Sequence, residues 1–190
     1  MSVHVHLTPI NNADYFTRRD LPCPPELKNA RYGATYRLAH INMCLAMRDV
    51  VRAAGPSPDG ARAEVFYEVD SMVALEELLR DDPYVIGQVW TAWTARPLVH
   101  VVPPAGLIDV CLDGSRRLTV VEGKVADGAS TVAALRRLRD EEALAIGGVT
   151  DDGMLIAWVR EPDPAGAVAR LTAAGVDVRA PSCRPLVWVL

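Results

Sequence analysis

No two cysteines of this chain stand at C-x-x-C spacing; Cys23, Cys44, Cys111 and Cys183 are scattered. That excludes a zinc knuckle and a disulfide framework, and predicts reduced, mostly buried thiols. No apolar run reaches the roughly 18 residues that a membrane-spanning helix requires. The start, MSVHVHLTPINNAD, has neither the basic n-region nor the apolar h-region of a signal peptide, so the expected location is the cytoplasm. A basic footprint is also missing. Twenty Lys and Arg face 24 Asp and Glu, a formal charge of −4, and the cations are dispersed, so nucleic acid is not an expected partner.

What remains is a chain of 190 residues, 50% hydrophobic and 23% charged, enough for one large domain or two small ones. SVHVHL alternates as a half-buried strand, with His4 and His6 on one face. The segment 8–33 carries Pro9, Pro22, Pro24 and Pro25 and predicts a long inserted loop. A helix is expected over 34–54, with Leu38, Ile41, Leu45, Met47 and Val51 near helical spacing and Gly55-Pro56 as its stop. The stretch PDGARAEVFYEV is expected to hold two strands around a turn at Asp59-Gly60. Ser71 caps a short helix that ends before Pro83, and GQVWTAWTARPLVHVV reads as one strand.

The second half follows the same plan. LIDVCLD and RLTVVEG read as strands, STVAALRRLRDEEALA as a helix starting at Ser130, and MLIAWV as a strand. DPAGAVARLTAAG reads as a helix with Pro164 in its first turn, before a closing stretch. That closing stretch ends RPLVWVL, a near copy of RPLVHVV at 96–102. A repeated string together with a repeated element order argues for a duplicated unit. The expectation is an α+β chain of two tandem ferredoxin-like (βαββαβ) units, 1–104 and 105–190, packed as an intramolecular dimeric αβ-barrel. Such a chain is a monomeric pseudo-dimer or a homodimer.

RLAHINMCLAMRDVVRAAGP is similar to the Arg-x-x-His-Leu helix and Gly-Pro stop of the YCII-related (YciI-like) proteins. LLRDDPYVIGQVWTAWTARPLVHV resembles their Asp-Pro-Tyr/Phe-Val segment and the strand ending Arg-Pro-Phe. The match covers roughly Tyr36 to Val102. The resemblance implies a ferredoxin-like domain, no cofactor, and His40 and Asp82 as the acid–base pair. In the second half Val132 or Ala133 stands where His40 stands and no Asp-Pro-Tyr occurs, so that unit is expected to lack the site.

His40 lies in an apolar helix and Asp82 before a proline, positions that a core histidine and a turn-forming aspartate also occupy. Together they suit proton transfer, because a carboxylate beside an imidazole fixes its tautomer. His4 and His6 are candidate binding residues. His-x-His evokes a metal, but no carboxylate stands at a convincing spacing, so no metal is expected. Phe66, Tyr67, Trp90 and Trp93 suit a flat conjugated ligand, Tyr36 and Tyr84 are further candidate binding residues, and Arg37 or Arg96 could hold a phenolate or carboxylate. Trp90 and Trp93, three apart on a strand, point to opposite faces.

The expected function is a cofactor-independent cyclase, dehydratase, lyase or isomerase acting on an aromatic or polyketide-like molecule in bacterial secondary metabolism. The alternatives are a cofactor-free monooxygenase of a phenol or anthrone and a non-catalytic ligand-binding protein.

Overall fold

The computed structural model of the chain describes residues 1–9, 36–107 and 109–190, with the side chains of Thr8 and Pro9 outside that description. Most of the expected inserted loop, and Cys23, lie outside the described residues. Among these residues no helix is long and apolar enough to cross a membrane.

The chain is mixed α+β with two antiparallel sheets. Strand β1 (Ser2–Pro9) leads to α1 (Arg37–Ala46), β2 (Val51–Pro56), β3 (Ala63–Glu68), α2 (Met72–Asp81), the short α3 (Pro83–Ile86) and β4 (Trp90–Leu98). Then come β5 (His100–Val102), β6 (Arg117–Val125), α4 (Gly128–Asp140), β7 (Leu144–Val149), β8 (Met154–Val159), α5 (Pro164–Ala173) and β9 (Val178–Val187). The first sheet has the order β2-β3-β1-β4 and the second β5-β7-β8-β6-β9. By compactness the chain divides into an N-terminal unit, Val3–Ala95, and a C-terminal unit, Arg96–Leu190 with Met1–Ser2.

In the N-terminal unit, alternation along β1 turns Val3, Val5 and Leu7 to one face, each fully buried, and His4 and His6 to the other. Ser71 caps α2 as expected, its hydroxyl accepting from the Ala74 N–H at 3.1 Å. Helix α1 is shorter than its periodicity suggests. It ends at Ala46, and Val51 opens β2, whose Val51, Ala53 and Gly55 turn inward in strict alternation. The expected helix over 34–54 thus joined a helix to a strand, because Val50-Val51 and two alanines satisfy either period over so short a run.

The C-terminal unit has its own core, in which Leu135 and Leu138 of α4 and Leu171 of α5 meet Val121, Leu155, Ala157 and Val159 of the sheet. Three expectations fail here. The segment 107–113 contains no strand among its described residues: Leu107 and Leu112 are exposed, and the N–H of Cys111 bonds the Val189 carbonyl outside any ladder. An alternating pattern without a neighbouring strand is not enough to make one. The helix expected from Ser130 begins earlier, because Asp127 is the cap and accepts from Ala129 N–H at 2.9 Å. It also stops earlier, at Asp140, since Glu142 takes φ 58°, and LAIGGV becomes β7. Gly148 fits a strand because β5 lies against it: an added Cβ would stand 2.7 Å from the His100 carbonyl oxygen. The single strand expected over 87–102 breaks at Val99, so that RPL ends β4 and HVV forms β5 in the second sheet.

Candidate active site

Asp82 sits between two helices because it precedes a proline. A residue before Pro is driven out of the α region, and Asp82 takes φ −64°, ψ 127°, ending α2 and capping α3. Its Oδ1 accepts from the Tyr84 N–H at 2.7 Å. The residue is fully buried, and a buried carboxylate demands further donors. His40 of α1 supplies one, with Nδ1 3.0 Å from both Oδ1 and Oδ2. An ionised carboxylate only accepts, so Nδ1 carries the proton and donates. Neutral His40 then has its lone pair on Nε2, which is the arrangement of a general base.

The imidazole is 14% exposed, so it is reachable while its carboxylate is not. Tyr84 stacks on it with ring centroids 4.2 Å apart and planes 15° from parallel, and Trp90 meets it edge-on at 4.7 Å. Tyr84 and Trp90 are themselves buried and close to perpendicular, at 5.3 Å. Cys44, one turn after His40, places Sγ 3.7 Å from Nε2. Burial, and then the charge of Asp82, push this thiol up to about 12, so at neutral pH it is a neutral neighbour of the base and not a nucleophile. The Tyr67 phenol is likewise held protonated, well above its usual value, first by burial and then by Cys44 and Asp82.

His4 and His6 lie elsewhere. His4 Nε2 lies 3.0 Å from Glu64 Oε2, which accepts from it, both side chains are buried, and the His4 ring tilts against Phe66 at 5.0 Å. Glu64 and Phe66 alternate with Val65 and Tyr67 along β3, and Tyr67 is the residue that feels Cys44 and Asp82. The two histidine–carboxylate pairs therefore occupy opposite faces of the first sheet. His6, on the His4 face, is partly exposed. Among the described residues no group of three His, Cys, Asp or Glu side chains is arranged to hold a metal.

Of the other candidates, Trp90 is buried and Trp93 is 39% exposed, within a run of exposed residues on β4 that shows no alternation. Tyr36 opens α1 with its ring over Gly87, and Arg37 is partly exposed on the first turn. Arg96 is engaged with Glu122, whose other oxygen accepts from Arg184 at 2.9 Å. A separate open groove of about 320 Å³ between α4 and α5, lined by Arg137, Arg170 and Ala174, contains none of the candidate residues.

No protein-family model matches the chain, and no curated protein does. Solved structures do. A monooxygenase candidate from Fusobacterium nucleatum subsp. nucleatum aligns over 100% of this chain and 92% of its own, with TM-score 0.54 and 8% identity. A second, from Lactobacillus acidophilus, aligns over 98% and 93%, with TM-score 0.53 and 11% identity. At such identities the likeness is one of fold, and it extends over both units. The 5-chloro-2-hydroxyhydroquinone dehydrochlorinase of Burkholderia phenoliruptrix matches 52% of this chain and 94% of its own at 13% identity. Its TM-score is 0.36.

Three residues at these pairs carry no signal of their own in the sequence. Cys44 is recognisable only as the fourth residue after His40, on the same helix face. Glu64 reads as the polar half of an alternating strand, and Gly87 as a loop glycine.

Proposed function

We propose that the chain is a cofactor-independent acid–base enzyme acting on an aromatic or polyketide-like small molecule. His40 Nε2 takes a proton from carbon beside a carbonyl and returns it at another position or to a departing hydroxyl. Asp82 holds the imidazole in the Nδ1–H tautomer and stabilises the imidazolium that forms. Isomerisation, ring closure with loss of water, and elimination all begin with that step. The observation that carries the reading is the 3.0 Å contact of His40 Nδ1 with both oxygens of a fully buried carboxylate. The resemblance of 36–102 to the YCII-related proteins supports it, since it implies the same two residues. The second sheet repeats the order of the first with β5 added at one edge. That supports reading the C-terminal unit as a tandem ferredoxin-like copy without the dyad.

A second reading is favoured by the fold likeness to two monooxygenase candidates. In it the same base deprotonates a phenol or anthrone, and the carbanion reacts with O₂ to leave a quinone-type carbonyl and water.

The experiment is deuterium exchange from solvent into anthrone and simple enolisable aryl ketones, followed by proton NMR, with oxygen uptake recorded in parallel. His40→Ala is expected to slow exchange by about 10²- to 10⁴-fold. Equal exchange in wild type and His40→Ala overturns both readings and leaves ligand binding without chemistry. Uptake of oxygen in step with substrate loss selects the second.

A further inference from the structure

Gly87, which ends α3, has φ −74° and ψ 0°, values open to any residue. The left-handed position that usually draws a glycine to a helix end falls one residue later, on Gln88, at φ 55°. The glycine therefore stands where the backbone has no need of it. Its surroundings supply another reason: an added Cβ would lie 2.2, 2.6 and 2.7 Å from Cδ2, Cε2 and Cγ of Tyr36. Cγ is the root of the ring, so swinging the tip aside relieves nothing and the whole ring must leave.

Tyr36 and Gly87 belong to the two elements that make the dyad. The Tyr36 carbonyl accepts from the His40 N–H at 2.9 Å, in the first turn of α1. Gly87 N–H bonds the Pro83 carbonyl at 2.8 Å and closes the single turn that Asp82 caps. Helix α1 packs on α3 with imidazole on carboxylate at one end of α3, the imidazole stacked on the Tyr84 ring within it, and the Tyr36 ring on the glycine backbone at the other end.

We propose that Gly87 is a positioning residue: the missing side chain lets the Tyr36 ring clamp α1 onto α3, and this clamp sets the His40–Asp82 hydrogen bond. The inference rests on the acid–base reading for its functional meaning, but it concerns geometry that is measurable without substrate. It assigns Tyr36 to holding the site together.

The test is long-range ¹H–¹⁵N NMR of His40 in wild type, Gly87→Ala and Tyr36→Ala/Gly87→Ala. Alanine adopts the Gly87 backbone angles without strain, so the single variant adds only the clash. The expected result is loss of the Nδ1–H tautomer signature in Gly87→Ala, with the Nδ1 proton exchanging about tenfold faster or more as the bond opens. In the double variant, where the ring has been removed, the signature returns. An unchanged tautomer and exchange rate in folded Gly87→Ala overturns the clamp, as does a double variant as perturbed as the single. If Gly87→Ala does not fold, the double variant decides alone: folded with the tautomer kept supports the clamp, and unfolded overturns it. Should Gly87→Ala leave His40 untouched while His40→Ala abolishes exchange into ketones, the clamp fails and the acid–base reading stands. The converse result removes the acid–base reading only.

Discussion

Arg96 and Arg184, the arginines of the two Arg-Pro-Leu-Val strings, bind opposite oxygens of one carboxylate, that of Glu122 on β6. The repeat thus meets itself at a single anion. Glu122 and Arg184 are largely covered, whereas Arg96 is about half exposed.

Glu122→Gln removes the charge that both arginines share and is expected to destabilise the protein by about 1–3 kcal/mol at pH 7. Burial pushes the Glu122 carboxyl up, but the two arginines outweigh it and hold it below the ordinary glutamate value. A depressed folded value stabilises above the unfolded pKa and is lost as pH falls through the folded one. Urea denaturation of wild type and variant is therefore expected to differ at pH 7 and to converge only as pH falls through the depressed folded value, below the ordinary glutamate range.

Asp82→Asn separates the two tasks of that residue. The amide oxygen still caps α3 through the Tyr84 N–H, but an amide N–H facing His40 Nδ1 forces the proton to Nε2 and removes the base. Folding is expected to survive while proton exchange into ketones drops about 10²-fold or more. Circular dichroism beside the exchange assay checks this.

His4 and Glu64 form a buried pair, so deleting Glu64 removes the carboxylate that faces the buried His4 Nε2. Glu64→Leu is expected to cost about 3–5 kcal/mol, whereas His4→Phe/Glu64→Leu recovers most of the loss. A double-mutant cycle in guanidinium measures both.

Cys44 is predicted to resist alkylation. Its thiol, pushed up to about 12, provides almost no thiolate at pH 8, while Cys111 is partly exposed. Peptide mapping after brief iodoacetamide treatment of the native protein should find Cys111 modified well ahead of Cys44.

Gln88 holds a left-handed conformation that glycine adopts freely. Gln88→Gly is expected to stabilise by about 0.5–1 kcal/mol, read from thermal denaturation, with His40 unaltered.

Elements whose signals are local were legible in the amino-acid sequence. The Ser71 cap, the strand MLIAWV and the helix that starts at Pro164 all appear where their residues put them, because a cap or a turn is decided within a few residues. Two of the failures lie where a helix gives way to a strand within a few residues. In 34–54 and 128–149 the sequence satisfies helix first and strand afterwards, and only pairing with β3 or with β5 and β8 ends the ambiguity.

By itself the sequence determined the α+β class, the absence of a long apolar span, and the identity of a histidine and an aspartate worth bringing together. Helix period and the proline at 83 place each on its own element. Tertiary structure decided everything about their surroundings, because those contacts cross long stretches of chain. It put His40 on Asp82, 42 residues away, and sent His4 to Glu64, 60 residues away, on the opposite face of the sheet. It also let a glycine be needed for the ring of Tyr36 and not for its own backbone. Sequence spacing carries no record of such meetings, since which faces touch depends on how helices pack on the sheet.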